Sequence, residues 1–563
     1  MEAITPEKQK ANLWLASAIA GLAFHACLQF SDILDVLIWQ MITGSVIAAA
    51  SIFYIDIKVF QSSPLDAAKD LAVSATGFTL SLTTSILIYR AFFHRLRRFP
   101  GPFPARLTKL WSVYKSAKSM KYFLVLEDVH KKYGDVVRTG PRELSVTRVS
   151  ALPQITACRK TVFYQQSHWK QSELGMLETR DLEDHRRRRK PWEKGLGLTE
   201  IARYDAAMQD TIGVFLDQIA CERGQRINIT EWIAMLAYDI MGVVSFGKDF
   251  GSLRAAKEVH AIKQLRDTMR SLGLLFSVPW VINFFSNMPG LGGAMGPFGA
   301  YCKRLVSEKR KMLMEKKVET TTPADVMSWL IQAFEEGGPT GAPTLAALHA
   351  DGRALVIAGS DTTYGALTNA LFHLASNPAI YAKLQAEVDS VCPDGEASFS
   401  HEKVKNLPLL DGVINETLRL KPPVPNGTPR LTPPEGLQID DDLYIPGNVH
   451  VVMPPWVMHR DERYFEKPLE FIPERWILGG EKAGMIKDRN AFFPFQIGMF
   501  HCAGKQLAYW EMRSVLARLA LRYNIRFASA QDGKDYESKL FNTVTLSPPP
   551  LGMCFRPRKE AKA

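Results

Sequence analysis

Three long apolar stretches open the chain, Leu13 to Phe30, Val36 to Ile55 and Leu71 to Phe93. Each comes close to the roughly 20 residues that a helix needs to cross about 30 Å of hydrocarbon. The first carries His25 and Gln29, whereas the second has no charged residue. The pattern predicts an anchor over residues 1–94 with one to three transmembrane helices: three spans, or one span with two helices lying in the interface. The apolar material recurs and no small-residue cleavage site stands out, which argues against a cleaved signal peptide. A basic cluster, His94, Arg95, Arg97 and Arg98, follows the third stretch directly, and basic residues beside a span stay on the cytoplasmic side. Everything after it is expected in the cytosol, with Met1 in the lumen if the crossings are odd in number.

Beyond the anchor the pattern changes. Phe99 to Pro104, FPGPFP, cannot continue a helix. Short apolar runs at Val136 to Arg138 and Leu144 to Val149, either side of a Gly-Pro turn, predict a strand pair. Ala237 to Gly251 reads as an apolar helix closed by glycines, and Leu272 to Met295, rich in Phe, Pro, Met and Gly, as a flexible lid against the membrane. Ala354 to Ala375 is spaced for a long buried helix, yet Ser360, Asp361, Thr362 and Thr363 interrupt its middle. Polar groups there are costly unless they bind something or hold a local distortion. The fold class that results is mainly α with a minor β-sheet lobe.

Composition narrows the function. A chain of 563 residues accommodates a large helical enzyme plus an anchor. Seven cysteines, an odd number without close pairs, suit neither a disulfide framework nor a zinc site. A reducing, cytosol-facing domain fits them best. The net charge of +11, densest at Arg186 to Lys190, suits an anionic membrane surface or an acidic protein partner. No nucleic-acid-binding motif accompanies it.

The chain converges on Phe495 to Gly504, FQIGMFHCAG, just before a helix-like run from Lys505 to Arg522. Cys502 lies between Gly498 and Gly504, and a cysteine thiolate can be the one protein ligand of a haem iron. Gly498 would then take a backbone geometry closed to other residues, Gly504 would admit the macrocycle, and Phe495 would shield the sulfur. A lone cysteine is more often an ordinary buried side chain. The order of further matches is what changes the reading.

FQIGMFHCAG resembles the haem-binding signature F-x-x-G-x-R-x-C-x-G of the cytochrome P450 family, and the resemblance runs over most of the chain after the N-terminal region. The family's arginine two residues before the cysteine, which pairs with a haem propionate, is Phe500 here, so His501 substitutes or that propionate is held elsewhere. AGSDTT, within Ala354 to Ala375, is similar to the family's oxygen-activation motif, which implies proton delivery by Asp361 and Thr362. HRRRRKPW resembles the haem-facing helix, with His185 and Arg189 one turn apart and turned toward propionates. ETLR, TPR, HRDERYF and FIPERW follow in family order. They imply a buried triad of Glu416, Arg419 and Arg475 that fixes the cysteine loop, and a further propionate contact at Arg430. FPGPFP looks like the proline-rich hinge, Tyr164 to Thr179 like the variable substrate-contacting segment, and the prolines within Thr543 to Met553 like a turn bordering the substrate cavity.

The resemblance implies a haem-thiolate catalytic domain over residues 95–563 behind the anchor, of fungal microsomal type. Haem b is the implied cofactor, and the implied reaction inserts one oxygen atom of O2 into an apolar secondary metabolite or xenobiotic. No Rossmann or flavin fingerprint follows a strand, so NADPH-derived electrons would come from a separate flavoprotein reductase, with cytochrome b5 as an optional second donor. The implied location is the endoplasmic reticulum membrane, with the catalytic domain cytosolic. Two alternatives use the same cysteine: a non-catalytic haem sensor or carrier, and a reductase-independent isomerase or dehydratase.

Overall fold

The computed structural model describes residues 6–29, 33–165, 170–288, 296–315 and 323–558. The helices of the N-terminal region and around the site are α1 Pro6–Leu28, α2 Ile38–Lys58, α3 Pro64–Ile88, α4 Leu182–Gly195, α5 Ile229–Phe246, α6 His260–Leu272, α7 Pro279–Ser286, α8 Leu345–Ser376, α9 Pro408–Leu420 and α10 Lys505–Arg522. A five-stranded sheet is made by β1 Val136–Gly140, β2 Glu143–Val146, β3 Arg159–Lys160, β4 Arg430–Leu431 and β5 His450–Val452, in the order β1-β2-β5-β4-β3. Only β2 and β5 among these run parallel. The mainly helical class with a minor β lobe is thus the observed one. The second strand stops at Val146 rather than Val149: after one last cross-strand bond, from Thr147 N–H to Asp135 O, Val149–Ala151 winds into a 3-10 turn.

α5 is apolar on nearly every face and is buried on nearly every face, the pattern of a helix at the centre of a large domain. Gly247 ends it in a left-handed conformation, φ +73, and donates its N–H to Val243 O. α8 crosses α5, is capped by the Thr344 hydroxyl on Ala347 N–H, and buries most of its length. α10 packs beside it, so the largest hydrophobic cluster spans all three.

In the N-terminal region, α1, α2 and the continuous helix Pro64–Phe93 are long and apolar enough to cross a membrane; α5 also meets that criterion, but 83% of its apolar window is buried in the domain core. α1 and α3 pack as a close hairpin. A Cβ on Gly21 would lie 2.6 Å from Phe78 O, and one on Gly77 3.0 Å from Trp14 O, so small residues set the approach. The first and third helices begin earlier than their apolar stretches and the second begins two residues later, at Ile38; ahead of the third, Ser63 accepts from Asp66 N–H before Pro64.

Two local expectations change. His94 is buried rather than part of a solvated basic cluster, with Nδ1 accepting from Leu96 N–H, and burial beside Arg138 and Arg95 pushes its pKa down to about 3. Arg97 and Arg98 remain exposed. The segment expected as a lid is partly outside the described residues, at 289–295. Its described part, α7, is tied to the N-terminal helices: Trp39 stacks on Phe284 at 5.0 Å and donates to Phe284 O at 3.0 Å, and Asn283 donates to Val36 O. FPGPFP is likewise fastened, with Arg138 N–H donating to Pro100 O and Gly101 pressed against Arg138.

Candidate active site

The cysteine loop is a tight turn ahead of α10. Cys502 N–H donates to Phe495 O at 2.8 Å, and the chain reverses through two left-handed residues, Gln496 at φ +58 and Gly498 at φ +72. Gly498 is therefore where a residue without Cβ is required. Gly504 has an ordinary φ of −88. A Cβ there would stand 3.9 Å from Cys502 Sγ with nothing else within 4 Å, so what its small size keeps clear is the space beside the sulfur. Burial pushes the Cys502 thiol up, opposed by the Gly504 N–H and by Arg189 and Lys505. The N-terminal end of α10 adds the favourable pole of its dipole.

That sulfur faces a cleft with about 1510 Å³ of atom-free space, walled by the cysteine loop and the start of α10 on one side and by Ala358, Thr362 and Ala366 of α8 on the other. Phe495, His185, Arg189, Arg430, His501 and Gly504 also line it. A second cavity, about 990 Å³, adjoins it at Val424 and Thr428 and is bordered by Gly273, Phe276, Thr543 and Val544. Of the variable segment, Tyr164, Met176 and Leu177 reach the cleft, and residues 166–169 lie outside the described residues.

One rim of the cleft is strongly cationic. β3 and β4 pair with Lys160 directly opposite Arg430, a like-charge arrangement that costs stability unless an anion joins it. Lys160 is buried, and its ammonium is held by the Met176 and Leu177 carbonyls, not by a carboxylate. Burial and the nearby Arg430 depress its pKa well below the usual range. Arg430 donates to Tyr164 Oη at 2.7 Å, and its Nε has no partner among the described residues. Phe500, standing where an arginine was expected, is wedged among them: Lys160 Nζ is 5.0 Å and Arg430 Cζ 4.9 Å from its ring centre, and His185 meets it edge-on at 4.7 Å. Burial and Lys160 push His185 down to about 3, so the ring is neutral, and its Nδ1 has no partner.

Arg189 is committed to the loop. It donates to His501 O at 2.8 Å and to Met499 O, and its Nε meets Glu193. His501 Nδ1 lies 2.8 Å from Gly498 O and so carries the proton, leaving Nε2 to accept from Arg189 at 2.9 Å. Both nitrogens of His501 are engaged, and the cations that stand beside Phe500 are Lys160 and Arg430. A flat group with carboxylates on one edge fits this cleft: sulfur to one face, two uncompensated cations at the rim, and the glycine gap between.

On the opposite wall, Thr362 donates its hydroxyl to Ala358 O at 2.8 Å, back-bonded to its own helix, and its oxygen can still accept from the cleft. Asp361, one residue earlier, meets α5 instead, accepting the Tyr238 hydroxyl at 2.6 Å. Burial raises the Asp361 carboxyl to about 6, against the pull of Tyr238 and Arg266. Behind the loop, Glu416 receives Arg419 on both oxygens and Arg475 Nε at 3.1 Å, all three side chains fully buried. It also accepts from Ile472 N–H and Trp476 Nε1.

Lys160, Tyr238 and Glu511 are the site residues that sequence patterning missed. Glu511 lines the cleft from α10, is buried, has an oxygen with no partner among the described residues, and burial pushes its carboxyl pKa well above the usual range. For Tyr238 the available signal was a phenol within a mostly apolar helix, because a buried phenol needs a partner.

The family model described as Cytochrome P450 matches residues 100–555. The cytochrome P450 monooxygenase orf5 of Eupenicillium brefeldianum is 36% identical over 492 residues, covering 86% of this chain and 96% of that protein. The cytochrome P450 monooxygenase FCK2 of Fusarium pseudograminearum is 32% identical, over 96% of this chain and 97% of its own length. Tryprostatin B 6-hydroxylase of Aspergillus fumigatus is 32% identical over 83% of this chain and 82% of its own. Among solved structures, the cytochrome P450DA heme domain superposes with a TM-score of 0.65 at 16% identity, over 79% of this chain and 94% of that one, which shows the same fold.

Proposed function

The chain belongs to the cytochrome P450 family, and from that premise we propose that it is a membrane-anchored haem-thiolate monooxygenase, with residues 1–94 as anchor and 95–563 as catalytic domain. The cleft that sets Cys502 against Thr362, with Lys160 and Arg430 uncompensated at its rim, carries the reading. Haem b, when bound, supplies the redox chemistry that activates O2. Cys502 would ligate its iron, Lys160 and Arg430 would hold the carboxylates, Arg189 and His501 would fix the loop, and Phe495, Gly498, Gly504 and His185 would shape the seat.

The substrate we propose is an apolar secondary metabolite, on the strength of the apolar cleft lining and of relatives such as the tryprostatin B hydroxylase. Electrons would come from NADPH through a separate reductase, with cytochrome b5 as an optional donor, at the endoplasmic reticulum surface with the domain in the cytosol. Exposed Arg186 and Arg187 on α4 suit an acidic partner. The polar turn of α8 favours oxygen activation over rearrangement or passive carriage. A carboxyl at about 6 can give and regain a proton near neutral pH, and the Thr362 oxygen can accept from a water in the cleft.

Thr362→Ala is therefore expected to keep haem content but lower the ratio of product to NADPH consumed by about tenfold or more, with peroxide making up the difference, and Asp361→Asn to slow turnover as a whole by about a hundredfold. Both are read with reductase in excess and a compound that gives turnover; an unchanged ratio and no extra peroxide in Thr362→Ala would remove the hydroxyl from the mechanism. Lys160→Met, which keeps the buried stem and drops the charge, is expected to release haem to an apoprotein acceptor about tenfold faster, roughly the worth of one charge-assisted hydrogen bond. An unaltered release rate would take Lys160 out of the seat.

A further inference from the structure

Thr362 faces the cleft, but Asp361 lies one step round α8 and reaches a different set of groups. The contact made by Tyr238 has the length of a charge-assisted O–H···O bond, 2.6 Å. Its ring is buried within α5, where nothing but a specific acceptor could satisfy its hydroxyl. From α6, Arg266 acts on Asp361, Tyr238 and Tyr364 together, and Glu258 pairs with Arg266 at 3.3 Å. Tyr364, the remaining titratable neighbour on α8, stands under Arg266 with its ring centre 6.0 Å away and has Ser547 as its hydrogen-bond partner. One cation is thus shared between two carboxyls, and Tyr238 is the hydroxyl bonded directly to the acid.

We propose that Tyr238 is the positioning residue of the proton route: its phenol holds the Asp361 carboxylate against α5 and sets the pH at which that acid takes up its proton. This deepens the reading of Asp361 as proton donor and rests on it. The phenol donates to Asp361 Oδ1 and so favours the ionised carboxylate, while burial favours the neutral form. Asp361 surrenders its carboxyl proton toward the cleft and regains one from water, and Tyr238 keeps its own proton throughout. Its bond determines how strongly the empty carboxylate competes for the replacement.

Removing the hydroxyl takes away a donor to the charged form, so the acid becomes weaker. The test is the pH profile of NADPH-dependent O2 consumption by the haem-loaded full chain, with a flavoprotein reductase in excess and reductase activity monitored separately. Tyr238→Phe is expected to move the inflection at which activity falls with rising pH up by about one pH unit while haem content stays at its original value. 3-Fluorotyrosine at position 238, a stronger donor of unchanged shape, is expected to move it down, and it covers the case in which the phenylalanine variant does not fold. Asp361→Asn should erase the inflection. If it is erased there but stays in place in both position-238 variants, the role of Tyr238 is overturned and that of Asp361 stands. If it survives Asp361→Asn, the proton-donor reading falls, and this one with it.

Discussion

Glu416→Gln is expected to cost the fold about 3–5 kcal/mol, the range for breaking one partner out of a buried ion pair, against a total of about 5–15 kcal/mol for a domain. The carboxylate is fully buried and neutralises two guanidiniums, Arg419 and Arg475, that are themselves cut off from water. Those guanidiniums are spent on the chain behind the cysteine loop: Arg419 donates to the carbonyls of His459 and Pro468, and Arg475 to that of Glu466. From there the connection runs to the loop itself, since His459 Nε2 accepts from Phe493 N–H and Trp476 packs on Phe492 at 4.4 Å. An amide retains the shape but leaves two buried cations without a counter-charge. The expected observation is a thermal midpoint lower by about 10 °C or more, with most of the expressed protein free of haem. A midpoint within a degree or two of the original, with full haem content, would show that the surrounding carbonyls suffice without the carboxylate.

What could be read from the sequence was what lies close together along it. The cysteine loop, the polar interruption of α8 and the E-x-x-R turn of α9 each fit within a few residues, and each maps to one local geometry. The three apolar N-terminal stretches were legible as helices, and the start of the third lies earlier than its apolar run because Ser63 caps it ahead of Pro64. What depends on register between distant strands was not legible. Lys160 gives no signal until β3 lies against β4 and puts it opposite Arg430, and Phe500 looked like a missing cation until the rim showed cations supplied from elsewhere. Tyr238 read as one more apolar helix position, and only the crossing of α5 and α8 gives its hydroxyl an acceptor. Gly504 was read as the residue that admits the macrocycle; its backbone is ordinary, and a Cβ there would stand 3.9 Å from Cys502 Sγ.

Cys502→Ser carries the largest expected effect on function, complete loss of turnover. Of the seven cysteines it is the one in the left-handed loop, at the amide end of α10, lining the cleft opposite Thr362. Cys158, Cys302, Cys392 and Cys554 are buried elsewhere as small apolar side chains. A hydroxyl at position 502 has nearly the same volume but remains protonated at neutral pH, so it cannot push electron density toward the iron as a thiolate does. The fold depends little on the sulfur, and haem could still be retained through Lys160 and Arg430, which makes the comparison one of ligation and not of folding. The measurement is the absorption spectrum of the dithionite-reduced, carbon monoxide-saturated protein, before and after the substitution. The original chain should show the red-shifted Soret band of thiolate-ligated haem, and Cys502→Ser should lose that band while haem remains measurable. Persistence of the red-shifted band in Cys502→Ser would contradict Cys502 as the iron's ligand.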